Sequence, residues 1–284
     1  MTGSRRWPIH PSPLEGEALL SWLGRIAKNY GFTANELLKH DLGYVASGDE
    51  NLDVAAPGGL LSVLASKTGQ PMERLSRMTI GGCASEILGM APVRIPLSPL
   101  RSKRCRQTFV EATCAEIGLF DRIHACRECA NAAQTAWVRL IWRIPWVVSC
   151  PEHGLLLERA SISPGSFVFW ESPGPSSASE AVCGLDRLSI AAFEYPTERE
   201  IREVPPHEGW FSGLRRSLAQ SRAALQANLE TASAIDADTG LLRLAAAPYE
   251  LLSRRDQVRM LEFVVEGDVT VQSGSKQGAA AFAR

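Results

Sequence analysis

The stretch CRECANAAQTAWVRLIWRIPWVVSCPEH, residues 126–153, decides how the rest of the chain is read. It opens with Cys126-Arg-Glu-Cys129 and closes with Cys150-Pro-Glu-His153, two knuckles that each enclose two residues and stand 20 residues apart. Two ligands at this spacing reach one ion from a single tight turn, whose backbone amides also point at the thiolates. A second such turn completes the tetrahedron that zinc prefers in closed structural sites. Pro151 fixes the backbone inside the second knuckle, and Gly154 permits a positive φ as the chain leaves it. Cys126, Cys129, Cys150 and His153 together predict a filled Cys3His site for one structural zinc ion, which leaves no position for an activated water. Metal binding of this kind contributes on the order of 10 kcal/mol to folding. The bland alternative is a set of buried cysteines beside a surface histidine. His124 is a substitute fourth ligand, disfavoured because one residue separates it from Cys126. Cys83, Cys105, Cys114 and Cys183 have no partner at ligand spacing and read as small core residues.

Between the knuckles, Trp137, Trp142 and Trp146 read as packing for a module with little core of its own, with a base-stacking platform as the alternative. Val138, Leu140, Ile141 and Trp142 predict a short helix ended by Ile144-Pro145, and Trp146–Val148 a short strand entering the second knuckle. Arg139 and Arg143 then lie four apart on one helix face, available to a phosphate, an acidic partner or solvent.

Upstream, residues 1–13 carry three Pro and two Arg and read as an extended arm. From Leu14 the spacing becomes helical: Ala18, Leu19, Trp22, Leu23 and Ile26 form an apolar stripe that ends at Asn29-Tyr30-Gly31. Thr33 and Glu36 form a capping box for a second short helix. Leu60, Leu61, Leu64 and Ala65 predict one helix face, Thr68-Gly69-Gln70-Pro71 a turn, and Met72, Leu75 and Met78 the inner face of the next helix. Ala65, Gly69 and Leu75 fit the small residue, turn glycine and inward residue of a helix-turn-helix over 60–80, which exposes Arg74 and Arg77 where such motifs meet DNA. A non-binding helical hairpin fits the same residues. Arg94, Arg101, Lys103, Arg104 and Arg106 form a basic run without acidic residues, either a phosphate-facing surface or a solvated loop.

The chain has 284 residues, 45% of them apolar and 21% charged, which excludes wholesale disorder. With 30 Lys and Arg against 31 Asp and Glu, it is no polycation that coats nucleic acid by charge alone. No run approaches the roughly 18 apolar residues of a membrane helix, and the first residues lack the apolar core of a signal peptide. The expectation is a cytoplasmic protein with no membrane contact, in which paired Cys signal metal rather than disulfides. The fold class expected is mainly α: a helical N-terminal domain over 1–110 with the helix-turn-helix-like element at 60–80, a small zinc-ribbon or zinc-finger module over 111–170, a linker at 171–180, a helical C-terminal region over 181–272 and a flexible tail at 273–284.

In combination, Trp7-Pro8, Glu17-Ala18-Leu19-Leu20-Ser21-Trp22-Leu23-x-Arg25, Cys126-x2-Cys129, Trp142-Arg143-Ile144-Pro145 and Cys150-Pro151-x-His153-Gly154 resemble the TniQ family, over roughly residues 7–160. The resemblance implies a bacterial, non-enzymatic adaptor of transposition. Such an adaptor recognises target DNA directly or through an RNA-guided CRISPR effector, passes that position to an AAA+ ATPase, and in some members acts as a dimer, which admits a homodimer here. It also implies Cys126, Cys129, Cys150 and His153 as zinc ligands. A zinc-containing transcriptional regulator that reads a promoter through residues 60–80 is the competing reading. An enzyme is disfavoured: the His-x-Glu and Pro-Cys-x-x-Cys of zinc deaminases are missing, and the acidic residues form no two-metal cluster.

Overall fold

The computed structural model describes residues 6–45, 52–83, 121–144, 146–171, 174–194, 210–231 and 252–274, together with Leu244 and Tyr249. The basic run of Arg94, Arg101, Lys103, Arg104 and Arg106 lies outside the described residues, as do Cys105, Cys114 and most of the expected tail. The fold is mainly helical. In chain order its elements are helices α1 (Leu19–Asn29), α2 (Ala34–Glu36), α3 (Gly58–Thr68), α4 (Met72–Ser76) and α5 (Ile80–Cys83), strand β1 (Asp121–Ala125), helix α6 (Arg127–Ala132), strands β2 (Ser149–Cys150), β3 (Leu155–Leu156), β4 (Glu158–Ser163) and β5 (Phe167–Trp170), and helices α7 (Glu180–Glu194), α8 (Trp210–Thr231) and α9 (Arg254–Gly274). The chain divides into two compact units, one of residues 1–144 and 157–175, the other of residues 145–156 and 176–284.

In the first unit the helical spacing that begins at Leu14 becomes a helix only at Leu19, because Glu17 is recruited inward. Ala18 at the cap position of α1 has no side-chain acceptor, and buried carboxylates serve the helix start instead. Asp53 accepts the Leu20 amide at 2.7 Å and pairs through its other oxygen with Arg143 Nη2 at 2.5 Å. Glu17, 1% exposed, accepts from the Leu14 amide at 3.0 Å, Ser21 Oγ at 2.9 Å, and Arg25 Nε and Nη2 at 2.8 and 2.6 Å. Ser21 in turn accepts the Val138 amide at 2.9 Å. Each of the four oxygens of these two buried carboxylates has at least one donor, as a low-dielectric site demands.

The opposite side of α1 feeds the apolar core. Trp22, Leu23 and Ile26 pack with Leu37, Leu38, Leu60, Leu61, Leu64, Leu75 and Met78. The expected capping box closes on α2, with Thr33 accepting from Glu36 N and Glu36 accepting from the Thr33 backbone; the helix then widens into a π-helical turn over Leu37–Asp41. Gly69, at φ +71°, ends α3 in the left-handed conformation the turn requires. Helix α4 is shorter than expected, five residues preceded by Pro71 as its N-cap. In so short a helix Met72 sits in the first turn and points outward, 45% exposed, whereas Leu75 and Met78 are buried as expected. The N-terminal arm is strapped to this body: Trp7 N donates to Lys67 O at 2.8 Å, the Trp7 indole to Asp41, the Trp22 indole to Pro11 O at 2.7 Å and Arg25 to Ser12 O at 2.9 Å.

The same unit holds an antiparallel sheet of order β1-β4-β5, in which Ile123 pairs with Ala160 and Ser161 with Phe169. Arg127, in the first turn of α6, clamps the sheet by donating to both oxygens of Glu158 at 2.8 and 3.0 Å, with its guanidinium 4.8 Å from the Trp170 ring centroid. The expected helix around Trp142 is a 3₁₀ turn, Leu140–Arg143, entered from an extended Arg139.

In the second unit, β2 and β3 form a hairpin with Ser149 opposite Leu156 and Cys150 opposite Leu155. Trp146, Val147 and Val148 before it are buried without forming the expected strand. Helices α7, α8 and α9 pack on one another, and the buried Trp146 ring lies 5.8 Å from that of Phe211 in α8. Cys183, Leu214, Leu218 and Leu261 complete that core, Cys183 as the small core residue expected. Among the described residues no helix is long and apolar enough to cross a membrane.

Candidate metal centre

Each knuckle is built by a different local device. Strand β1 delivers the chain to Cys126, which is the N-cap of α6 in extended conformation. Ala130 N donates to Cys126 O at 3.0 Å, closing the first helical turn. Cys126 and Cys129 thus stand at i and i+3 on one side of a helix start, where unpaired amides favour negative charge on sulfur. In the second knuckle the β2–β3 hairpin folds back over Pro151–Gly154. Gly154 donates to Cys150 O at 2.8 Å and His153 N to the same oxygen at 3.3 Å, and Gly154 turns the chain at φ +64°, as its place in the sequence predicted.

The ligand atoms of Cys126, Cys129, Cys150 and His153 all lie within 4.8 Å of one another. Cys126 and Cys150 are buried, Cys129 half-buried and His153 exposed. Zinc–sulfur bonds of about 2.3 Å and a zinc–nitrogen bond of about 2.0 Å span tetrahedral edges of about 3.8 Å between sulfurs and about 3.5 Å between sulfur and nitrogen. The Cys150 Sγ to His153 Nδ1 separation is 3.5 Å. The widest spacing, 4.8 Å, needs only a contraction of about 1 Å to close the tetrahedron. The donors fit a metal ion in number, softness and spacing. Arg139 Nη1 stands 4.0 Å from Cys129 Sγ, a cation beside a group that three thiolates make anionic. His124 lies in β1 opposite Arg159 and is not among the four converging residues.

The other basic candidates are placed as follows. Arg143, expected beside Arg139 on one exposed face, is instead 9% exposed and committed to Asp53. Arg74 donates to Pro13 O at 2.8 Å and to the Gln70 side chain at 3.2 Å, holding the arm against α4. Arg77, the C-cap of α4, is exposed.

One residue near the hairpin had no signal in the sequence. Asp186 of α7 is fully buried and its Oδ2 accepts from Val148 N at 3.1 Å, Ser149 N at 2.6 Å and Ser149 Oγ at 2.6 Å. Its Oδ1 is buried with no hydrogen-bond partner among the described residues. Burial pushes the carboxyl up to about 7, against the opposing pull of the Ser149 and Val148 donors and of Arg254.

The sequence profile of the TniQ family matches residues 8–157, which include all four converging ligands. No curated protein and no solved structure gives a significant match to the chain. With the profile covering more than half of its 284 residues, the chain belongs to the TniQ family, a family of transposition-associated target-selection adaptors.

Proposed function

We propose that this chain is a non-enzymatic transposition adaptor, working in the bacterial cytoplasm, that links target DNA or an RNA-guided effector to an AAA+ transposition ATPase. The observation that carries the reading is the family match over residues 8–157 together with the four-ligand cluster inside it. Cys126, Cys129, Cys150 and His153 hold one zinc ion whose four positions are all taken by protein, so the ion shapes a surface and activates no water. The helical hairpin α3–α4 serves as the helix-turn-helix-like element of residues 60–80, with Arg77 and Arg74 toward nucleic acid and the run from Arg94 to Arg106 adding phosphate contacts. The remaining layout follows the same reading: a zinc module over 111–170, a linker at 171–180 and a helical C-terminal region over 181–272.

Co-purification with the ATPase tests the function. Retention of the chain by the ATPase in the absence of DNA is expected, whereas tight binding to a promoter with no affinity for the ATPase would replace the adaptor by a transcriptional regulator. Elemental analysis tests the metal: about one zinc per chain is expected, lost in Cys150→Ser together with the fold of residues 126–153. Freshly purified protein without zinc would overturn the metal assignment.

A further inference from the structure

A hairpin with two residues in each strand cannot hold its own geometry in water, yet the β2–β3 hairpin must present Cys150 and His153 in register. It is gripped from both sides by residues beyond the segment the family profile covers. Along β3, Leu156 N donates to Ser176 O at 2.8 Å, Ala178 N donates to Gly154 O at 2.9 Å, and Leu155 bridges Ser177 in antiparallel fashion. Ser176–Ala178, near the end of the proposed linker, thus run alongside β3 through two backbone hydrogen bonds and a single bridge. On β2, the single oxygen Oδ2 of Asp186 takes three hydrogen bonds from Val148 and Ser149, the residues that lead directly into Cys150. A fully buried carboxylate is costly to keep in a protein interior, and this one spends its hydrogen-bonding capacity on one short run of backbone.

We propose that Asp186 is a positioning residue of the metal centre, and that residues 176–194 clamp the Cys150–His153 knuckle in its ligating geometry. The inference rests on the metal assignment above. Asp186 acts through the backbone from which Cys150 projects, accepting from Val148 and Ser149, as the groups that orient metal ligands from behind do.

The test is the rate at which zinc passes from the purified full-length chain to a chromophoric chelator at fixed pH, with helical content followed by circular dichroism. Asp186→Ala should release zinc about 10-fold faster or more. Asp186→Asn, whose amide oxygen still accepts from Val148 and Ser149, should stay near the wild-type rate. Equal rates for wild type and Asp186→Ala would overturn the clamp, and so would Asn and Ala variants that release zinc equally fast. If Asp186→Ala loses helical signal, Ser149→Ala decides: deleting one of the three bonds should speed release severalfold, and an unchanged rate overturns the proposal. Wild-type protein that holds no zinc sinks the metal assignment itself and the clamp with it, a result distinct from a failure confined to the variants.

Discussion

Replacing Glu17 with Ala removes the acceptor shared by Leu14 N, Ser21 Oγ and both Arg25 nitrogens. The side chains of Glu17 and Arg25 are 0% and 8% exposed, so water cannot take over the stranded guanidinium. Leaving one partner of a buried ion pair behind costs about 3–5 kcal/mol, and each neutral hydrogen bond lost adds about 1 kcal/mol. That is a large share of the roughly 5–15 kcal/mol that holds a folded domain together. In urea, with a slope of about 1–3 kcal/mol per molar, the midpoint should fall by about 2 M, followed by circular dichroism and by exchange of the α1 amides. The double variant Glu17→Leu/Arg25→Met removes both charges and should recover most of the loss. A loss below about 1 kcal/mol for Glu17→Ala, the range of an exposed pair, would show that water or another acceptor compensates the pair and that its burial adds nothing to the cost of breaking it.

Three further outcomes follow from other sites. Asp53→Ala takes the carboxylate away from the Arg143 guanidinium and the Leu20 amide and should cost about 3–5 kcal/mol by thermal melting, whereas Asp53→Asn, which keeps an acceptor for Leu20, should cost less. Burial raises Asp186 from the ordinary 3.8 to about 7, so across that interval the native chain holds a proton that the unfolded chain has released. Stability should therefore decline as pH rises from about 4 to about 7 and level off above it, by up to a few kcal/mol; Asp186→Asn should lack this component when the two proteins are compared by urea melts at several pH values. Gly154→Ala meets no atom within 4 Å, so its cost is backbone strain alone, about 1–2 kcal/mol at φ +64°, and chelator competition should show weaker zinc retention.

Much of the fold was legible because its signals are local. The Thr33–Glu36 capping box, the left-handed Gly31, Gly69 and Gly154 and the spacing of the four ligands each depend on residues within a few positions of one another. What was not legible depends on partners far along the chain. Glu17 has the spacing of a solvated helix residue, and only Arg25 and Leu14 folding onto it show it to be interior. Arg143 reads as surface because Asp53 stands 90 residues away. The sheet β1-β4-β5 escaped notice because β4 is rich in Ser and its far strand has only four residues, too few to establish alternation. Ser176–Ala178 lie in a stretch whose Ser and Pro content argues for a linker, Asp186 lies in a stretch expected only to be helical, and nothing in their spacing points at a hairpin behind them.

Around α1, the letters that carry the family resemblance lie mostly in the interior. Glu17, Ser21, Trp22 and Arg25 are buried around the start of α1, and Trp142 and Arg143 close the same region. Anyone substituting residues in this chain therefore has a division of labour to respect. The buried letters build a chassis and should be left alone, while exposed helix positions such as Ser62, Val63, Ser66, Met72 and Glu73 can be varied at little thermodynamic risk, because they carry no buried charge of the kind Glu17 and Asp53 do.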